Sequence, residues 1–381
     1  MALGSNMNFK KINAFLHLWL GLLSGLVVFI LGITGCILVF ETEIRNALEP
    51  YRFVPVEAKQ MLAPAQLKAK TAVQLNAPAS ITGITYHTSE EAATIYYQLK
   101  DKSEWEAYVN PYSGKLIKVR PQAIGFFDVV LYLHTSLLIP GKAGQAIVSY
   151  ATLIFIVLLI SGIVLWWPKK WNKSSRKKSF SIKWNAKFKR LNYDLHNVPG
   201  FYSMLFVLVI AFSGVLISIP WLAKGLYWMG SGGASLPKRV PPSSKVIQGS
   251  PPYKNGVDLL WTKFANAKPG MGKIILSISY PEKKEEVITL VYNPKPGTSY
   301  QSEIQYYDQY NLKKIDMPHF WQKEYIKAHL GDLFGRLAFD THTGQIGSLP
   351  GKILAFIASF IAASLPVTGF YIWWGKRKKK I

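Results

Sequence analysis

The chain has 381 residues, of which 49% are hydrophobic and only 17% charged, with a formal net charge of +24. The length allows two or three domains, and several apolar runs of about 20 residues mark a protein that crosses the membrane, not a water-soluble one. A charge of +24 suggests nucleic acid, but its distribution argues against that partner. Ten Lys/Arg and no acid fall in residues 168–190, five in Lys376–Lys380, and two at Lys10 and Lys11. All three segments abut apolar runs, where the positive-inside rule and anionic lipid account for them.

In chain order, MALGSNM (1–7) is expected to be a non-native leader, with Met7 as the natural start. Residues 8–42 hold the first span, Ile12–Phe40, which is too long, and too well continued by polar sequence, to be a cleaved signal peptide. Residues 43–122 read as an external domain: a helix at Ala63–Leu75, then the strand-like runs ITGITYHT, ATIYYQL and WEAYVNPYSGKLIKV with turn signals at Asn110-Pro111 and Ser113-Gly114. Residues 123–167 carry His134 and a second span, Gln145–Trp167. The basic loop 168–190 follows, then a third span within 191–219, Gly200–Ile219. Residues 220–328 form a second external domain after the linker Gly230–Ser244, with a helix at Gly256–Lys268 and strands KIILSISY, VITLVYN and SEIQYYDQYNLKKI. Residues 329–374 carry the last span, Lys352–Trp374, and 375–381 form a basic tail. Charge placement puts both termini and the 168–190 loop in the cytoplasm and both domains outside. Trp166-Trp167 and Trp373-Trp374 are interfacial belts.

The chain reads as a duplication. NAFLHLWLGLLSGLVVFILGITG (Asn13–Gly35) aligns without a gap on NYDLHNVPGFYSMLFVLVIAFSG (Asn192–Gly214). His17 matches His196, Gly21 matches Gly200, and Thr34-Gly35 matches Ser213-Gly214. Ser161–Lys170 parallels Thr368–Arg377, and HTSLLIPGK from His134 parallels HTGQIGSLPGK from His342. The expected fold class is an α-helical membrane protein with α+β periplasmic domains, its four transmembrane helices arranged as two span–domain–span repeats.

Four of the seven histidines therefore recur in register. His17 and His196 lie near the cytoplasmic ends of spans, and His134 and His342 lie just ahead of spans on the outer side. From His17 to Phe40 a helix runs about 35 Å, so the two pairs sit near opposite faces of the bilayer. Intramembrane ionisable groups are functional by default. Paired imidazoles suit haem iron, which takes neutral rings on both faces. His329 is an alternative to His342 as the outer ligand. His87 and His319 read as surface residues. Arg336, Lys142 and Lys352 are candidate partners for haem propionates. The single cysteine, Cys36, gives no Cys-x-x-Cys-His attachment site, so haem would be non-covalent. Phosphate-binding glycine loops, His-Glu-x-x-His and Gly-x-Ser-x-Gly motifs are lacking, which excludes a nucleotide-cofactor domain and a hydrolase. The span centres GLVVFILGI, LIFIVLLI and FVLVIAF lack the polar midplane residues of a transporter.

The LHxxxG openings at His17 and His196, LHTSLL around His134, HTGQIGSLPGKI from His342 and the closing TGFYIWW resemble the PepSY-associated transmembrane family across about residues 8–380. NPYSGKLIKV (Asn110–Val119) is similar to the closing hairpin of a PepSY domain, whereas residues 292–315 depart from it and lack the Asp/Asn-Pro-x-Ser/Thr-Gly turn. The resemblance implies a bacterial inner-membrane, iron-regulated ferric-siderophore reductase with two b-type haems. His17, His134, His196 and His342 fall on the family's histidines, and catalytic residues are not identifiable. Electrons would come from quinol or a cytoplasmic reductase, and Fe(III) in a siderophore would be reduced to Fe(II), which hard oxygen ligands hold less well. The alternative is a membrane-anchored PepSY protein that binds or regulates a periplasmic peptidase without haem.

Overall fold

The structure is a computed structural model that describes residues 9–75, 78–122, 124–238, 240–246, 251–267, 270 and 272–377. The leader 1–7 and the last four residues of the tail lie outside the described residues. The chain divides into two compact units: a helical one (up to Thr42, Gly125–Gly225 and from Leu337) and a sheet one (Glu43–Ile124 and Leu226–Arg336).

In chain order the helices are α1 (Phe9–Val39), α2 (Glu41–Leu48), α3 (Pro64–Gln74), α4 (Phe126–Ser136), α5 (Lys142–Trp166), α6 (Lys173–Phe180), α7 (Phe188–Ser218), α8 (Pro220–Gly230), α9 (Gly256–Ala267), α10 (Leu330–His342) and α11 (Ser348–Arg377). Among the described residues, α1, α5, α7 and α11 are long and apolar enough to cross a membrane. They form a ring in which α1 packs on α5 and α11, and α7 packs on the same two. Val28, Phe155, Leu158, Leu159, Val207, Ala211, Ala358 and Ala362 fill its centre. The outward faces stay apolar and uncovered, with Leu23 73% and Leu26 72% exposed. Only lipid is a suitable solvent for such surface, and helices alone keep their backbone groups satisfied there.

Small residues let α1 and α11 approach closely. A Cβ built on Gly32 would lie 2.7 Å from Ala363 Cβ and 2.8 Å from Ser359 O. Four spans are found where four are expected, but α7 begins well before Gly200. Its first turns hold Asn192, Asp194 and His196, polar residues that apolar-run reading discounts. Asp194 is fully buried and is paired with Arg190 through two contacts, Nη2 to Oδ1 at 2.8 Å and Nε to Oδ2 at 3.0 Å.

The strands are β1 (Ala79–Tyr86), β2 (Ala93–Leu99), β3 (Glu104–Val109), β4 (Leu116–Pro121), β5 (Ile275–Ser279), β6 (Val287–Asn293), β7 (Glu303–Asp308) and β8 (Lys314–Ile315). Both expected helix-then-strand segments are present, but they share one eight-stranded antiparallel sheet, ordered β4-β3-β2-β1-β5-β6-β7-β8. β1 and β5 would each be an open edge of a four-stranded sheet, a template for unwanted pairing. They pair with each other instead, Ile84 opposite Ile278 and Tyr86 opposite Leu276, with Thr85 and Ser277 hydroxyls 2.8 Å apart. Leu67 of α3 covers Ile84, Ile95 and Val109, and Leu260 and Phe264 of α9 cover Leu276 and Leu290. Asp258 of α9 accepts the Ala65 N–H at 2.8 Å, placing a carboxylate at the positive start of α3.

The turn that residues 292–315 lack in sequence is present in shape. Asn110 Oδ1 accepts from the N–H groups of Tyr112 and Ser113, and Gly114 follows at φ 74°. Asp308 Oδ1 accepts from those of Tyr310 and Asn311, and Leu312 follows at φ 56°. An Asx side chain mimics the backbone turn in both. The second copy places leucine in the left-handed region, at a steric cost that glycine avoids.

Candidate cofactor site

Each long apolar helix carries a hydroxyl residue followed by glycine: Thr34-Gly35 on α1, Ser161-Gly162 on α5, Ser213-Gly214 on α7 and Thr368-Gly369 on α11. Each of these pairs meets one histidine from a neighbouring helix. His17 Nδ1 lies 2.6 Å from Ser161 Oγ, and His196 Nδ1 lies 2.9 Å from Thr368 Oγ1. His134 Nδ1 lies 2.7 Å from Thr34 Oγ1. His342 Nδ1 lies 2.9 Å from Ile210 O and 3.4 Å from Ser213 Oγ.

The hydroxyls reveal which ring nitrogen carries the proton. Each has one hydrogen to give. Thr34 gives it to Ile30 O at 2.7 Å, Ser161 to Leu158 O at 3.0 Å, Ser213 to Ile210 O at 2.8 Å and Thr368 to Ser364 O at 2.9 Å. Such back-bonding to the preceding turn is common for Ser and Thr in helices. The oxygen's lone pairs then face the ring, so Nδ1–H is the donor. For His342 the carbonyl of Ile210 can only accept, and Nδ1–H follows again. In all four neutral rings the proton sits on Nδ1, and the Nε2 lone pair is free for a metal.

Gly214 and Gly369 make room for His342 and His196 against the helix that holds each, whereas a methyl on Gly35 or Gly162 would meet its ring at ordinary contact distance. A Cβ built on Gly35 would lie 3.6 Å from His134 Cε1, on Gly162 3.6 Å from His17 Cε1, on Gly369 3.3 Å from His196 Cε1, and on Gly214 2.9 Å from His342 Cε1. Asparagines brace one end: Asn13 Nδ2 donates to Ser161 O and Asn192 Nδ2 to Thr368 O, each at 3.0 Å.

The histidines form two pairs. His17 and His196 line one cavity of about 420 Å³, whose wall includes Gly21, Gly200, Trp166 and Phe201. Trp166 and Phe201 stack at 3.8 Å. His134 and His342 face each other with ring centroids 6.1 Å apart and planes at 61°. On α1, His17 and Thr34 are about 26 Å apart along the axis at about 1.5 Å per residue. His196 and Ser213 repeat that spacing on α7. The two pairs thus sit near opposite ends of the helical unit.

These residues fit haem. No group of three or more His, Cys, Asp or Glu able to hold a bare ion is found among the described residues. Two neutral imidazoles in apolar surroundings suit an iron that brings its remaining ligands in a flat macrocycle. The apolar cavity with glycine walls offers the room a flat ring needs.

The other candidates are placed elsewhere. His329 caps α10: its Nδ1 accepts the Asp332 N–H at 3.2 Å, and its own N–H goes to Asp332 Oδ2 at 3.2 Å. This is a capping box. Arg336, expected as a propionate partner, is fully buried in the sheet unit. Its guanidinium donates to the carbonyls of Tyr300, Ser302, Phe320 and Lys323 and lies over the Trp321 ring. These bonds tie a chain crossing together, which corrects that expectation. Lys142 is exposed at the start of α5, and Lys352 is buried in α11. His87 Nε2 sits 3.2 Å from Thr94 Oγ1 and His319 stacks on Phe320.

Sequence reading missed the hydroxyls, the asparagines' role and helices α4 and α10 that carry His134 and His342. The signal was present: Thr34-Gly35 aligns with Ser213-Gly214, and Ser161-Gly162 with Thr368-Gly369. The family described as PepSY-associated TM region matches residues 14–376. Comparison with curated proteins gives no match.

Proposed function

The chain belongs to the PepSY-associated TM region family, and from that premise we propose a membrane oxidoreductase holding two non-covalent b-type haems, which passes electrons across a bacterial inner membrane and reduces periplasmic ferric siderophore to release Fe(II). The observation that carries this reading is the pairing of four half-buried histidines, each with Nδ1 engaged and Nε2 free. His17 and His196 hold one haem, and His134 and His342 hold the other. Bound there, haem supplies a one-electron Fe(III)/Fe(II) couple whose potential depends on axial ligands, burial and hydrogen bonding.

The residues around the rings do the remaining work. The hydroxyls and Ile210 O fix ring orientation, glycines admit a flat group, and Trp166, Phe201 and the leucines of α1 and α5 exclude water. The basic loop 168–190 orients the His17/His196 end toward the cytoplasm, and electrons come from a cytoplasmic reductase there or from quinol in the membrane. The span–domain–span unit is read as duplicated, which explains why the two members of each pair occupy matching positions. Purified protein should give a pyridine haemochrome of b type and a dithionite-reduced spectrum with sharp α bands. A colourless protein after expression with ample haem supply refutes the reading.

A further inference from the structure

The four Nδ1 contacts are not equivalent. His17 donates to a hydroxyl oxygen alone, His134 and His196 have the carbonyls of Leu31 and Leu365 beside their hydroxyls, and His342 donates to the carbonyl of Ile210. Ser213 Oγ stands 3.4 Å from that nitrogen, while its own proton goes to the same carbonyl, Ile210 O, at 2.8 Å. A carbonyl of the helix backbone cannot be removed by side-chain substitution. His17 depends on a side chain that can.

A donor N–H that finds an acceptor makes the opposite nitrogen more basic, and so a better ligand for the more highly charged iron. Removing the acceptor weakens that preference and raises the Fe(III)/Fe(II) potential. We propose that Ser161 is a positioning residue that holds the Nδ1–H tautomer of His17 and sets the potential of the His17/His196 site, whereas Thr34, Thr368 and Ser213 share their rings with the carbonyls of Leu31, Leu365 and Ile210 and set it less. The inference rests on the haem reading above and goes beyond it: it assigns one hydroxyl a tuning role and predicts an asymmetry between two aligned dipeptides, Ser161-Gly162 and Thr368-Gly369.

The local fold supports this. Ser161 and Thr368 are each braced by an asparagine at the same carbonyl, at 3.0 Å on both helices. Their oxygens are therefore held at a fixed place relative to the ring. At the other end, the Gly214 position brings α7 closest of all to its ring, with 2.9 Å from a built Cβ to His342 Cε1. That approach lets the backbone carbonyl take over from the hydroxyl.

The test is redox titration of the purified full-length protein, with haem quantified per chain. Ser161→Ala should raise the midpoint of the His17/His196 site, and Thr368→Val should shift it by less. Ser161→Thr should keep the wild-type value. Haem lost in Ser161→Ala and regained in Ser161→Thr supports the proposal equally, because the hydroxyl is the group restored. An unshifted Ser161→Ala with full haem, a loss that threonine does not rescue, or a Thr368→Val shift equal to that of Ser161→Ala overturns it. A wild-type protein without haem removes the underlying reading instead. The tautomers are then read from histidine 15N shifts of the same protein: Nδ1–H in these rings supports the hydrogen-bond assignment, and Nε2–H overturns it.

Discussion

Ser161 gives its hydroxyl proton to Leu158 O at 3.0 Å and so receives the Nδ1–H of His17 at 2.6 Å. That relationship holds an ionisable ring in an apolar helix by its Nδ1 and leaves its Nε2 free. It recurs with Thr368 and His196 on the other two spans, and the predictions below follow from the two resulting pairs.

His17→Ala and His196→Ala should each remove the same haem and leave the other intact. Both rings line one cavity. The check is the reduced-minus-oxidised spectrum of each variant, and residual spectra that differ between the two would separate the rings into different sites.

At the other end, His342→Ala should abolish one haem together with ferric-chelate reduction, because His342 is the ring that faces His134. His329→Ala should keep both haems. It removes an N-cap from α10, at a cost of about 1 kcal/mol, read as a lowered melting temperature. Loss of a haem in His329→Ala with full retention in His342→Ala contradicts the assignment.

Gly214→Ala and Gly162→Ala should part company. The added methyl on Gly214 would lie 2.9 Å from His342 Cε1 and 3.2 Å from Nδ1, so the ring must move. On Gly162 it would meet His17 at an ordinary 3.6 Å. Gly214→Ala is expected to lose or perturb the His134/His342 haem, and Gly162→Ala to leave the spectrum unchanged. Equal effects would mean that ring clearance does not govern binding.

The sheet unit should lose stability in mild acid through His87. Burial holds its pKa below the ordinary histidine value, opposed by Glu91 and reinforced by Arg52. The unfolded chain then takes up the proton first as pH falls below about 6.5, so folding weakens from there down to the lowered native pKa and levels off beneath it. Hydrogen exchange of β1 and β2 amides in the full-length protein should show this loss, and His87→Gln should flatten it. An unchanged profile in His87→Gln would assign the acid response to another group.

Much of this was legible in the sequence because the signals were local or repeated. Span length, strand alternation at ATIYYQL and VITLVYN, and the in-register histidines all follow from period and composition. The pairing of β1 with β5 was not legible: two segments nearly 200 residues apart carry nothing local that says their edges meet. The turn at Asp308 was hidden because Asp-Gln-Tyr-Asn-Leu builds by side-chain hydrogen bonds what Asn-Pro-Tyr-Ser-Gly advertises by composition. α7 began earlier than its apolar run because Asp194 is neutralised by Arg190 within the helix. The hydroxyl–glycine dipeptides were visible as aligned letters, but small residues in spans ordinarily serve helix packing. Only the geometry shows a ring against each one. Arg336 misled for the converse reason: an arginine near an expected haem invites a propionate, and its partners proved to be four carbonyls.

The central claim is tested most directly by pyridine haemochrome quantitation of the purified full-length protein, expressed with ample haem supply, against its measured protein concentration. Two b-type haems per chain is the predicted result, falling to one in His17→Ala and in His342→Ala. A value near zero would contradict the account and leave the sheet unit, not the histidines, as the place to look for function.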